Sequence, residues 1–186
     1  MKKKKILHTI GHSNRSLKDF LALLEEYGID LLVDVRRFPG SRRNPHFKGS
    51  ELERATRQIN IGYKHMKNLG GRRGQPDPDL PNDFWRVDGF RSYADYMGTP
   101  EGKVAIEELR ALTTEHYAAV MCAEAVPWQC HRRLIADIFV SEGYEVVNIT
   151  GRNAAHQHKP SGALRQLEDG TYIWPSDSTQ GELGLY

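Results

Sequence analysis

Short apolar runs alternate along this chain with segments of helical periodicity, and that alternation restricts the fold more than any other feature. Residues 6–10 (ILHTI), 31–35 (LLVDV), 117–121 (YAAVM) and 144–149 (YEVVNI) are too short for helices and read as strands, the second buried on both faces as parallel strands are. Between the first two, Phe20, Leu21, Leu23, Leu24 and Tyr27 give a helix its apolar face; Ser16 and Asp19 start it in capping-box fashion and Gly28 ends it. Further helices are expected over 50–58, 90–97, 100–115 and 130–142, the last closed by Gly143, with another strand over 61–65. Such a succession packs as a parallel or mostly parallel sheet with helices on both faces, which makes this an α/β chain.

With 186 residues the chain fits one domain, with residues 6–150 as the α/β unit and 151–186 as a peripheral segment holding a short helix near 160–167 and a turn at Asp169-Gly170. Residues 69–81 (LGGRRGQPDPDLP) read as a mobile loop; they match neither a P-loop nor a dinucleotide fingerprint, because the lysine and the spacing are absent. No apolar run approaches the roughly 18 residues of a membrane span, and the lysines after Met1 are not followed by a signal-peptide core. The expectation is a cytoplasmic protein with no membrane contact. Its two cysteines, Cys122 and Cys130, are then reduced thiols close enough in sequence to pair if oxidised.

The net charge of +2 does not by itself announce a nucleic-acid partner, so distribution matters more than the sum. Arginine pairs fall at expected loops (Arg36 and Arg37, Arg42 and Arg43, Arg72 and Arg73, Arg132 and Arg133), whereas acids such as Glu25, Glu26, Glu107 and Glu108 sit on helices. One face is thereby strongly positive, or the pairs are four unrelated solvated sites.

Residues 122–137, CAEAVPWQCHRRLIAD, gather both thiols, Glu124, Trp128, His131, Arg132 and Arg133 where a strand gives way to a helix. Helix N-termini at such edges present unpaired N–H groups and partial positive charge, the field that lowers a thiol's pKa. Cys130, placed in the first turn beside two arginines, is the candidate nucleophile, although no phosphatase-type cysteine-x5-arginine loop is present; Cys122 ends an apolar strand and reads as core. This block, with residues 9–13 (TIGHS) and 34–39 (DVRRFP), resembles the domain of unknown function 488 family, from about residue 6 to the C-terminus. The resemblance implies a fold and a site but no particular reaction, so the activity has to come from the residues.

A parallel sheet brings the segments after its strands to one edge. His12 and Ser13 follow the first strand, Asp34, Arg36 and Arg37 the second, His65 the third, and the Cys130 block the fourth. His12 and His131 are candidate acid and base or helix-end ligands of the backbone. Glu124 near Trp128 is a candidate proton donor or an arginine's partner, and Asp34 beside Arg36 admits the same two readings. Arg36, Arg37, Arg132 and Arg133 are candidate phosphate donors, with Trp128 stacking on a base. Cys122, Cys130, His131, His156 and His158 lack zinc-ligand spacing, and no metal or other cofactor is expected.

Trp85, Phe90, Tyr93 and Tyr96, interleaved with Arg86 and Arg91, offer a base-stacking platform, whereas the helical offsets of Tyr93, Tyr96 and Met97 favour core for those three. The tail at 180–186 resembles short peptides that dock on DNA sliding clamps, or is a terminal packing segment. The preferred function is an enzyme acting on a phosphate-bearing small molecule or nucleic acid at an Arg/Cys/His site. The alternatives are a non-catalytic nucleic-acid-binding module and a cysteine-based redox sensor.

Overall fold

The computed structural model describes residues 5–40 and 44–177; the Arg42–Arg43 pair and the 180–186 motif lie outside them. Its centre is a six-stranded sheet in the order β3-β2-β4-β1-β5-β6. Strands β1 (Ile6–Gly11), β2 (Leu31–Asp34), β3 (Gly62–His65), β4 (Ala118–Cys122) and β5 (Glu145–Gly151) run parallel, and β6 (Ala154–Gln157) returns antiparallel against β5. The α/β expectation therefore holds, with one antiparallel edge strand added.

Strand pleating sorts side chains by parity onto two apolar layers. Ile10, Leu32, Ala119, Met121 and Ile149 meet Phe20, Leu23 and Leu24 of α1 (Leu17–Glu26) and Leu52 of α2 (Gly49–Gln58). Leu7, Val33, Val120 and Val146 face the other way, onto Tyr93 and Met97 of α3 (Asp88–Met97), Ile106 and Leu109 of α4 (Pro100–Glu115), and Leu134, Ile138 and Phe139 of α5 (Arg132–Ser141). Tyr93 and Met97 are thus core, as helical spacing suggested, with Tyr96 partly buried against them; Trp85, outside the helix, is buried as well.

Local signals explain the helix ends. The Ser16 hydroxyl accepts from the Asp19 N–H at 3.1 Å and donates to the Asp19 carboxylate, capping α1, and Gly28 turns away with φ of 63°. Three expectations change. The fifth helix starts at Arg132, so Cys130 precedes it, closing a 3-10 turn over Pro127–Gln129. No helix forms near 160–167: Gly162, at φ of 81°, leaves helical conformation, and β7 (Arg165–Gln166) pairs with β8 (Tyr172–Ile173) across the expected Asp169-Gly170 turn. Residues 151–177 are not peripheral, because Ala163, Tyr172, Ile173 and the wholly buried Trp174 belong to the core.

Candidate functional site

Because five strands run parallel, the segments after β1, β2 and β4 meet at one edge. The loop after β4 crosses directly over Gly11: a Cβ there would sit 1.8 Å from the Glu124 carbonyl oxygen, so only glycine lets the two backbones touch. Arg15 ties the same edge together, donating to the carbonyls of Gly11 and of Thr150 in β5. Between these loops opens a cleft of about 490 Å³ with Cys122, Cys130, His131, Glu124, Arg36, Arg37 and Arg72 in its lining.

Cys130 lies at the floor of the cleft. Its sulfur is 2.8 Å from that of Cys122, 3.4 Å from Arg132 Nε, and 3.5 Å from both the Arg132 backbone nitrogen and His131 Nδ1. Burial by itself raises a thiol's pKa, but the Cys122 hydrogen bond, His131 and the Arg132 guanidinium outweigh it and hold Cys130 well below its ordinary value. Cys122 moves the opposite way, raised by burial and by its bond to Cys130, which favours Cys122 as the proton donor in that bond. Two cysteines eight residues apart thus take unequal roles, as acceptor and donor of one short bond.

Arg132 is only 1 % exposed. Its Nε points to Cys130, its Nη2 donates to the Glu124 carbonyl at 2.7 Å and its Nη1 to Thr9 at 3.3 Å. Burial opposes its charge, yet the two cysteines outweigh that and raise its pKa. Arg36 is similarly occupied: Nε and Nη2 grip the Asp34 carboxylate, Nη1 meets His12, and the Tyr63 hydroxyl adds a further donor to Asp34 at 2.8 Å. The His12 ring follows from these partners. Nε2 faces an arginine, which can only donate, so Nδ1 carries the hydrogen and gives it to the Ser13 carbonyl at 2.8 Å. Burial first, and Arg36 after it, lower the His12 pKa to about 4, and the ring stacks on Phe47.

The sequence-derived candidates therefore separate into three groups. Cys130, His131, Glu124, Arg36 and Arg37 share the cleft. Arg132, Asp34, His12 and Ser13 stand behind or beside it, with Arg132, Asp34 and His12 bonded to other side chains and Ser13 accepting through its carbonyl. Trp128 and Arg133 line a second hollow of about 400 Å³, with Asn148, His156, His158 and Lys159. Trp128 is 59 % exposed there, and Arg133 leans on the Trp85 ring.

The sequence marks Arg72 only as one of four loop arginine pairs and the glycines beside it only as a loop; the Arg72 backbone carbonyl accepts from Arg37, and at Gly71 a Cβ would sit 2.4 Å from His131 Nδ1. The glycine pair in 69–74 was the available signal: Gly70 packs on Arg37 and Gly71 on His131, making this segment a wall of the cleft. Among the described residues no group of three or more His, Cys, Asp or Glu is placed to hold a metal ion.

An α/β sheet with a thiol cleft beyond its strand ends is the class that fold and site define. The model of the family described as domain of unknown function DUF488 matches residues 16–139, more than half of the chain, and the protein belongs to that family. The match takes in the 34–39 and 122–137 blocks to within α5, and leaves out β1, His12 and β5. No curated protein and no solved structure matches the chain. No helix among the described residues is long and apolar enough to cross a membrane.

Proposed function

We propose that the protein is an enzyme in which Cys130 is the nucleophile toward a small phosphate-bearing substrate seated in the cleft. The observation that carries this reading is the surroundings of the Cys130 sulfur: a thiol, a guanidinium Nε, a backbone N–H and an imidazole converge on it at the floor of a cleft. That environment favours thiolate, the reactive form. Arg36 and Arg132 are spent on Asp34 and Cys130, so substrate phosphate falls to Arg37 and Arg72 at the rim. Attack forms a bond from sulfur to the electrophilic atom and breaks the bond to the leaving group, which takes a proton from His131. Water then displaces the sulfur, returning thiolate and restoring the proton to His131.

A specific observation favours a second reading, a redox pair: the two sulfurs are already 2.8 Å apart. A panel of nucleotides and phosphate monoesters, assayed for turnover, separates the two. Cys130→Ser is expected to abolish turnover, while Arg37→Ala and Arg72→Ala raise KM. Wild-type turnover by Cys130→Ser, or no turnover of any panel member, overturns the enzymatic reading. In the latter case a Cys122–Cys130 disulfide formed by equimolar hydrogen peroxide establishes the redox one.

A further inference from the structure

On the α5 face of the sheet a line of buried polar side chains runs inward from Cys130. Arg132 Nη1 donates to the Thr9 hydroxyl at 3.3 Å, and that hydroxyl donates to Asn148 Oδ1 at 2.7 Å. Thr9 and Asn148 are direct partners across β1 and β5. Asn148 Nδ2 lies 3.4 Å from His158 Nδ1, and His158 Nε2 lies 2.7 Å from Asp137 Oδ1. The Ser161 hydroxyl, at 2.6 Å, and Trp174 Nε1, at 3.2 Å, both donate to Asp137 Oδ2. Thr9, Asp137, Asn148 and His158 are all buried.

Each link can be made in only one sense. Arginine is donor only, so Thr9 accepts from it and its own hydrogen is free for Asn148. A carboxylate is acceptor only, so Asp137 takes the hydrogen on His158 Nε2, and in the neutral ring Nδ1 is then the acceptor. That acceptor selects the NH2 end of the Asn148 amide, which turns the carbonyl end toward Thr9. Were the amide reversed, Thr9 would face donors on both sides and its hydroxyl hydrogen would have no acceptor in the chain.

We propose that Thr9, Asn148, His158 and Asp137 are positioning residues that aim the Arg132 guanidinium at Cys130, an inference that rests on the reading of Cys130 as nucleophile. With Nη1 held by Thr9 and Nη2 by the Glu124 carbonyl, the guanidinium plane is fixed at two corners and Nε–H is directed at the sulfur. Without Thr9 the plane pivots about its remaining anchor, and the thiolate loses its charged donor. No proton needs to travel along the chain; its role is to hold a direction.

The test reads the thiol itself and needs no substrate. Alkylation of the Cys130 peptide by iodoacetamide, followed against pH by mass spectrometry in the full chain, gives the thiolate midpoint. The charged or titratable groups facing that sulfur are Cys122 from β4, His131 and Arg132 from the start of α5, and Tyr93 from α3, with Arg36 and Glu124 along the cleft. None of them is itself substituted in the variants below.

Thr9→Val and Asn148→Leu are each expected to raise the midpoint by about one pH unit, a tenfold loss of thiolate below it, and Thr9→Ser to restore it. The double variant removes both members of the Thr9–Asn148 bond, leaves neither orphaned by the other, and carries the same expectation where a single one folds poorly. Thr113→Val, which deletes a buried hydroxyl bonded to Tyr144 outside the chain, should not move the midpoint. A low wild-type midpoint that Thr9→Val and the double variant leave unchanged overturns this inference alone. An ordinary wild-type midpoint overturns the nucleophile reading and this role with it.

Discussion

The loops after β2 and β4 each carry adjacent arginines, and each pair divides its labour the same way. Arg36 and Arg132 are buried and bonded inward, to Asp34 and to Cys130, while Arg37 and Arg133 turn toward solvent-filled hollows. The inward members differ in what they hold. Arg36 neutralises a carboxylate that has other donors from Tyr63 and the Arg36 backbone; Arg132 donates to the sulfur of Cys130, which lines the cleft. The outward members differ too, because Arg37 reaches the cysteine cleft and Arg133 the Trp128 hollow. Adjacent like charges in a sequence are therefore poor witnesses to a shared binding role: one of each pair is part of the scaffold.

The largest effect is expected within the β2 pair. Arg36→Ala strands the fully buried Asp34 and should cost about 3–5 kcal/mol in urea unfolding, whereas Arg37→Ala should stay within about 0.5 kcal/mol. Equal costs for the two would break the division between inward and outward members.

An intermediate effect is expected on the β4 side. Gly71→Ala drives a methyl group into the His131 ring, 2.4 Å from Nδ1, and should cost about 1–3 kcal/mol while slowing Cys130 alkylation. Gly74→Ala, with open space around its Cβ, is the matched control and should change neither. Unaltered alkylation in folded Gly71→Ala would show that His131 placement does not govern the thiol.

The smallest effect sharpens the contrast between the two histidines. His12, beside Arg36, has its folded pKa lowered to about 4, below the value of about 6.5 for the unfolded chain. Between those values the unfolded state binds more protons, so this contribution is fully present above about pH 6.5 and is lost as pH falls toward 4. His12→Asn should flatten the stability profile in that window in denaturant titrations at stepped pH. A slope equal to wild type would show that His12 is not held neutral by its surroundings.

The strands were legible as short apolar runs because the sheet is buried on two faces, the helices by their 3.6-residue period, and the Ser16 cap and Gly28 stop marked α1 on their own. Burial on two faces also hid something. In the runs 6–10 and 144–149, Thr9 and Asn148 break an apolar pattern, and that exception was the readable sign of the polar line to Cys130. The tail of the fold was misread for a different reason. Gly162 breaks the expected helix with a positive φ, and the segment instead enters a two-stranded ribbon and the core that holds Ala163 and Trp174, which only contacts distant in sequence stabilise.

Local chemistry along the chain determined the α/β class, the convergence of loops at one sheet edge, and the marking of Cys130 as the thiol in a cationic setting, since each depends on spacing and residue type within a few turns. Tertiary structure alone decided which arginine of each pair faces inward, that Trp128 and Cys130 open into different hollows, and that Gly71 lies against His131. Those outcomes depend on strand order and on the exact angle at which loops cross. Partners brought together over more than a hundred residues, Thr9 with Asn148 and Arg132, show in sequence at most as separate exceptions to an apolar run, and nothing local says that they meet.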